Sequence, residues 1–253
     1  MRLRMHVITL GFLGALGICG LQSADAAVLT IYLNQATESG VRELAAAFEK
    51  ATGNKVDVSF QGGAALNQKI NSAPGDLASL TFAQFDEFVK NGRIVRNSVV
   101  EYGRVGNGVA VKAGAPKPDI STPEAFKRAM LDAKSIGHTR VGTGPFNTTM
   151  FKKLGIYDQI KDKIKIIEGK LVAEAVRDGD VEIGIQQTNV IQPYPGTQYV
   201  GPLPEELMEY GRVGVGLLTV STHPDEARAF IRFMADPANA ALLKKGAMYP
   251  LLR

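Results

Sequence analysis

The sequence contains no tryptophan, a single cysteine and three histidines in 253 residues. One cysteine cannot form an intrachain disulfide, and Cys19 lies in an N-terminal apolar stretch expected to be removed. The histidines (His6, His138 and His223) are too scattered to form a metal-ligand set. With no Trp and only 7% aromatics, ligands stacked on aromatic platforms, such as sugars, are disfavoured. The net charge is +4 and the pI about 9.1, yet the basic residues form no stripe. Their densest clusters, Lys152-Lys153 and the alternating Lys161, Lys163 and Lys165, carry no interleaved aromatics, which disfavours nucleic acid. No G-x-S-x-G elbow, Walker loop or H-E-x-x-H helix occurs, and Gly142-x-Gly144 lacks the third glycine of a dinucleotide fingerprint.

What is present begins with an export signal. Arg2 and Arg4 precede an apolar run from Val7 to Leu21, and Ala24-Asp25-Ala26 supplies small residues for cleavage before Ala27. The run is shorter than the roughly 20 residues of a membrane span, and no second such run follows. A soluble, exported, periplasmic protein is expected.

Behind the leader, strand-like runs alternate with helical patterns, which predicts α/β layering on a mainly parallel sheet. Val28 to Leu33, Val56 to Phe60 and Asp76 to Leu80 read as strands. Val41, Leu44, Ala45 and Phe48 mark a helix face, and further helices start near Ala64 and at Phe82. Ser121-Thr122-Pro123-Glu124 combines an N-cap, a first-turn proline and a capping-box glutamate. Thr222 to Glu226 opens another helix. Asp236-Pro237 restarts a last one, which stops at Gly246 after Lys244-Lys245. His138 is expected just before a strand in a structural role, and His223 exposed in a first helical turn.

One internal match stands out. Glu101-Tyr102-Gly103-Arg104-Val105-Gly106 recurs as Glu209-Tyr210-Gly211-Arg212-Val213-Gly214, with no similarity around either copy. Each opens a small-residue, β-branched stretch, Val105 to Val111 and Val213 to Val220. They are expected as two neighbouring strands crossing between lobes. Lobe 1 is then 27–104 with 216–253, and lobe 2 is 105–215.

The remaining chemistry lies in loops that follow strands: Asn34 to Thr37, Gln61 to Ala64, Gly142 to Thr148, and Gln186 to Asn189. The first three precede helices, whose free N–H groups suit anions. They carry neutral hydrogen-bonding residues and almost no carboxylate, Glu38 being the nearest, which disfavours metal cations and polyamines. The candidate contacts for a small anion are Ala36, Thr37, Gly62, Gly63, Ala64, Thr143, Gly144, Asn147 and Gln187. Arg104 and Arg212 are expected mainly in ion pairs. No catalytic set, metal or cofactor is expected.

Several segments together resemble the periplasmic molybdate-type solute-binding proteins of ABC importers. They are Leu29 to Tyr32 leading into Thr37 to Leu44, Phe48 to Gly53, Val58 to Leu66 and Ala73-Pro74-Gly75-Asp76-Leu77. Gly179-x-x-x-x-Gly184-Ile185 and Phe233 to Pro250 complete the set. The resemblance implies a two-lobed type II periplasmic-binding-protein architecture with a two-strand hinge, acting as a monomer with a membrane permease. Oxyanion-binding members typically carry serines where this chain has Ala36 and Gly62 to Ala64, and a tyrosine where it has Gln187. Each hydroxyl lost from a charged oxygen costs about 1.5–3 kcal/mol. These departures favour a small organic acid over molybdate, tungstate or sulfate. A ligand-presenting receptor for a membrane sensor and an exported hydrolase are the alternatives.

Overall fold

Apolar alternation and its interruptions set the strands. The computed structural model describes residues 26–140, 142–192 and 194–251, so the expected leader and Cys19 lie outside the described residues. A six-stranded sheet is ordered β11-β4-β10-β3-β1-β2 and a five-stranded one β7-β6-β8-β5-β9. In the first, β1 (Val28–Leu33), β2 (Lys55–Phe60) and β3 (Leu77–Thr81) run parallel. Beside them β4 (Val100–Val105), β10 (Gly211–Leu217) and β11 (Tyr249–Pro250) pair antiparallel. In the second, β6 (Ile136–Thr139), β7 (Ile164–Ile167) and β8 (Ile183–Gln187) are parallel, flanked by antiparallel β5 (Asn107–Lys112) and β9 (Thr197–Pro202). The sheets are therefore more mixed than expected, because the strands adjoining the crossings reverse direction.

Helices cover the sheets and bury separate cores. Helix α1 (Gln35–Thr52) buries the anticipated Val41, Leu44, Ala45 and Phe48 with β1, β10 and helix α2's downstream neighbours in the first lobe, notably Phe230 and Met234. Helix α2 (Gly63–Ser72) and α3 (Phe85–Lys90) pack Leu66, Ile70, Phe85 and Phe88 on the other face. The second core gathers Val109, Phe126, Met130, Phe151 and Ile185 from β5, β8, α4 (Pro123–Asp132) and α5 (Thr143–Lys153). Helix α6 (Tyr157–Ile160), α7 (Val172–Asp178) and α8 (Thr188–Ile191) complete this lobe. Helix α9 (Pro224–Ala235) and α10 (Ala240–Lys245) return to the first.

The repeated hexapeptides are adjacent strands: Arg104 pairs opposite Arg212, and Val105 opposite Gly211. The chain leaves the first sheet at Gly106, and re-enters it at Gly211 after Leu203 to Tyr210. All of β10 belongs to the first sheet, so the expected lobe boundary at 215/216 falls inside a strand. The stretch from Val105 to Val111 is likewise broken at Gly106 into β4 and β5.

Local signals needed smaller corrections. Thr122, not Ser121, caps α4, accepting from the Ala125 N–H at 3.1 Å, so Glu124 falls one position short of a capping box. Gly246 ends α10 at φ −77°, and Ala247 takes the left-handed turn at φ 54° instead. Glycine at 246 instead answers to proximity: a Cβ there would stand 2.8 Å from the Gly40 nitrogen and 2.9 Å from its Cα in α1. Gly246→Ala should therefore cost about 1–3 kcal/mol in denaturant unfolding. Gly62→Ala, at φ −104° with open space around it, should change stability by less than about 0.5 kcal/mol.

Candidate functional site

Register places the ends of β3 and β8 and both chain crossings at one crevice. Val213 pairs with Thr81, so β10 begins where β3 ends, and Asn107 pairs with Gln187, so β5 begins where β8 ends. Both chain crossings thus sit at the carboxyl ends of the parallel strands, where open α/β sheets bind ligands. A cleft of about 250 Å³ lies there, lined by Thr81 from lobe 1, Val105 and Asn107 beside the first crossing, and Tyr210 and Gly211 at the second. Gly142, Thr143, Phe146 and Gln187 of lobe 2 close it, with Glu209 at the rim.

The helices that start from the candidate loops lack side-chain caps. Asn34, Gly62 and Gly142 occupy the N-cap positions of α1, α2 and α5, and none makes a side-chain cap hydrogen bond. The same holds for α9, whose N-cap is His223, whereas α4 is capped by Thr122. An uncapped first turn leaves N–H donors and the positive end of the dipole for an anion.

Asn34 fails to cap for a specific reason. The Thr81 N–H donates to Gln84 Oε1 at 3.2 Å, which fixes that oxygen as an acceptor, and Asn34 Nδ2 donates to the same oxygen at 2.9 Å. Asn34 Oδ1 is left buried and without a partner. Thr37 is committed elsewhere: its hydroxyl donates to Asn34 O and Ser79 O, and its N–H also donates to Asn34 O. The residue braces α1 against β3.

Other candidates divide by burial. Thr143 is 7% exposed on the cleft wall, and its hydroxyl lies 3.3 Å from that of Thr139. Gly144 packs tightly, since a Cβ there would meet Thr139 O at 1.9 Å, so its glycine serves the approach of α5 to β6. Asn147 is fully buried, and neither of its amide atoms has a partner. Gln187 lines the cleft. Ala36 is buried, and its carbonyl accepts from Asn189 Nδ2 at 3.2 Å. Gly62, Gly63 and Ala64 are exposed at the start of α2 and do not contribute to the cleft lining.

Asn189 is the residue that sequence reasoning under-valued. From α8 in lobe 2 its Nδ2 donates to Gln35 O, Ala36 O and Ser39 Oγ at the start of α1 in lobe 1. The carbonyl acceptors fix the amide orientation and leave Asn189 Oδ1 buried and unpartnered. Thr81, Asn107 and Tyr210 also escaped notice, because only strand register brings them to the crevice. Gln186 Oε1 and His138 Nε2 are further buried polar atoms without partners. His138 lies within β6, not ahead of it, and is 2% exposed. Burial pushes its pKa below the usual range.

The arginines of the repeat share one carboxylate. Glu101 lies 2.5 Å from Arg212 Nη2 and 3.6 Å from Arg104 Nε, and Arg212 also stacks over Phe82 at 4.2 Å. The Tyr210 phenol is pushed up to about 12, chiefly by burial and then by its hydrogen bond to Glu205. His223 Nδ1 lies 3.4 Å from the Asp76 carboxylate. Among the described residues, no group of His, Cys, Asp and Glu could hold a metal ion, and no helix is long and apolar enough to cross a membrane.

Known proteins share this layout. The chain is 26% identical to an aconitate isomerase of Pseudomonas sp over 98% of its own length and 97% of that protein. The periplasmic molybdate-binding protein of Azotobacter vinelandii superposes with a TM-score of 0.67 at 18% identity, covering 89% of this chain and 99% of that one. The sulfate-binding protein SubI of Mycobacterium tuberculosis gives 0.69 at 17% identity, covering 89% and 87%. These two solved structures bear out the two-lobed, molybdate-type fold. Residues 29–247 match the bacterial extracellular solute-binding proteins, and the chain belongs to that family.

Proposed function

We propose that this protein is an exported receptor that closes its two lobes over a small organic anion carrying more than one carboxylate, and delivers it to an ABC-type permease. The observation that carries the reading is the cleft lined from both lobes, with the uncapped first turn of α5 on its wall and the uncapped start of α1 joined to lobe 2 through Asn189. Donors from both lobes are satisfied together only when the cleft shuts, so the ligand favours closure. The chain-long likeness to an aconitate isomerase supports an unsaturated or related tricarboxylate as the ligand class. The absence of serines from the first two loops supports the same choice over an oxyanion. Arg212 ties β10 to β4 through Glu101, and Asn189 holds lobe 2 to the start of α1.

The same likeness favours a second reading, in which the bound tricarboxylate is isomerised. Binding without turnover is the function proposed here. Proton NMR of cis- or trans-aconitate incubated with the protein separates the two: unchanged spectra are expected, and interconversion would establish the isomerase.

A melting-temperature panel on protein refolded free of ligand tests the ligand class. Citrate, the aconitates and other polycarboxylates should raise the midpoint, by about 2.7 kcal/mol of stabilisation at 100 times the dissociation constant. Molybdate and sulfate should not. A response to oxyanions alone would overturn the carboxylate reading, and a response to sugars or cations alone would remove the anion altogether.

Asn189→Ala removes the tie between α8 and α1. It should raise the radius of gyration of the ligand-free protein in small-angle scattering and weaken carboxylate binding about tenfold, the equivalent of about 1.4 kcal/mol. Unchanged scattering and affinity would remove Asn189 from closure.

A further inference from the structure

Two buried side chains behind the cleft wall are chemically incomplete in a way that specifies what they bind. Gly144 seats the start of α5 on the end of β6, its would-be Cβ standing 3.2 Å from His138 Nδ1. The His138 ring centroid lies 6.5 Å from that of Phe151, so the imidazole lies under the face of α5 that carries Gly144, Asn147 and Phe151. Asn147 in turn follows the cleft-lining Thr143 by one helical turn, on the same face. His138 and Asn147 therefore lie together directly behind Thr143.

Their bonding capacity can be read atom by atom. His138 Nδ1 lies 2.9 Å from the Thr139 carbonyl, which can only accept, so Nδ1 carries the proton. Nε2 is then a bare lone pair, buried and unpartnered. Burial and the Thr139 carbonyl are the influences on this imidazole, with no charged group among them, and the net effect keeps the ring neutral. Asn147 adds one acceptor and one donor group, Oδ1 and Nδ2, both unpartnered in a side chain with no solvent exposure. A bare carboxylate oxygen placed against Nε2 would meet lone pair with lone pair.

We propose that His138 and Asn147 form the inner subsite of the interlobe cleft and bind an O–H group of the ligand, its hydrogen donated to His138 Nε2 while Asn147 Nδ2 donates to its oxygen. The inference rests on the carboxylate reading above and refines it. The O–H is either a hydroxyl beside a carboxylate or a carboxyl that retains, or brings in, one proton. Thr143 and Phe146, which belong to the first turn of α5, line the cleft, and on this proposal the O–H arm passes them as the lobes close.

Calorimetric titration of the exported, refolded protein distinguishes the two sources. Citrate is compared with its deoxy analogue tricarballylate, and both with trans-aconitate, in buffers of different ionisation enthalpy. A hydroxyl in the subsite gives roughly tenfold tighter binding of citrate than of tricarballylate with no proton uptake. A protonated carboxyl gives similar affinities and uptake of one proton per ligand bound. Either result supports the subsite, provided that it disappears in Asn147→Leu and in His138→Phe.

Asn147→Leu should also raise the melting temperature of the ligand-free protein, because it removes a buried amide that has nothing to bond to. A lower melting temperature would mark Asn147 as a structural residue and overturn the assignment. Carboxylate binding with neither hydroxyl preference nor proton uptake, or with either unchanged in the variants, would overturn this subsite alone. Failure of every carboxylate to bind would instead remove the preceding reading, and this one with it.

Discussion

Antiparallel pairing of β4 with β10 governs the geometry of the molecule. Because Val105 lies opposite Gly211, the chain leaves the first sheet and returns to it at the same end. That end is also where β3 delivers its loop, since β10 begins opposite Thr81. In the second sheet the start of β5 lies opposite the end of β8. Two short crossings are therefore enough to turn the carboxyl ends of both sets of parallel strands towards one another. The Arg212–Glu101 ion pair holds β10 against β4 beside the crossing. A slip of one residue in this pairing would move alternate side chains to the opposite face and separate the loops from their crevice.

Within the crevice, electrostatics is supplied mostly by neutral groups. Apart from Glu209 the lining is uncharged, with the uncapped start of α5 and the amides of Asn107 and Gln187, so on the proposed reading the ligand would meet oriented dipoles. This has a cost in the empty protein. Each buried polar group without a partner forfeits about 1–3 kcal/mol, and Asn34, His138, Asn147, Gln186 and Asn189 all leave such atoms in the candidate loops or the elements they abut. On the proposed reading, such unfinished bonding in lobes whose cores are otherwise apolar is what a polar ligand would complete.

Much of the fold was legible in the sequence because it rests on local periodicity. The face of α1 follows from Val41, Leu44, Ala45 and Phe48, and the neighbouring crossing strands follow from the repeated hexapeptide. Where local rules failed, a long-range contact had prevailed. Gly246 ends its helix without the left-handed turn, and it is glycine because it is pressed against Gly40, more than two hundred positions earlier. The site was legible only in outline. The loops were identified from strand–helix order, but which of their atoms remain free depends on pairings between distant segments. Thr37 has its hydroxyl taken by Ser79, and Asn34 is drawn from its cap by Gln84. Asn189 reaches across 153 positions to Ala36. No periodicity carries that information.

The same fold serves the molybdate- and sulfate-binding proteins it superposes on, and fold alone does not choose the ligand. The balance of donors and acceptors can. An oxyanion without protons only accepts hydrogen bonds, so a site built for one offers donors alone. In the elements next to this cleft, buried acceptors of fixed orientation remain: Asn189 Oδ1, set by its amide's bonds to two carbonyls, and Asn34 Oδ1, set by the prior claim of Thr81 on Gln84. His138 Nε2 is a third, fixed by Thr139. Desolvating those acceptors against a proton-free oxyanion would be repulsive at each. On the proposed reading, an organic acid that carries an O–H group beside its carboxylates would engage both kinds of group at once.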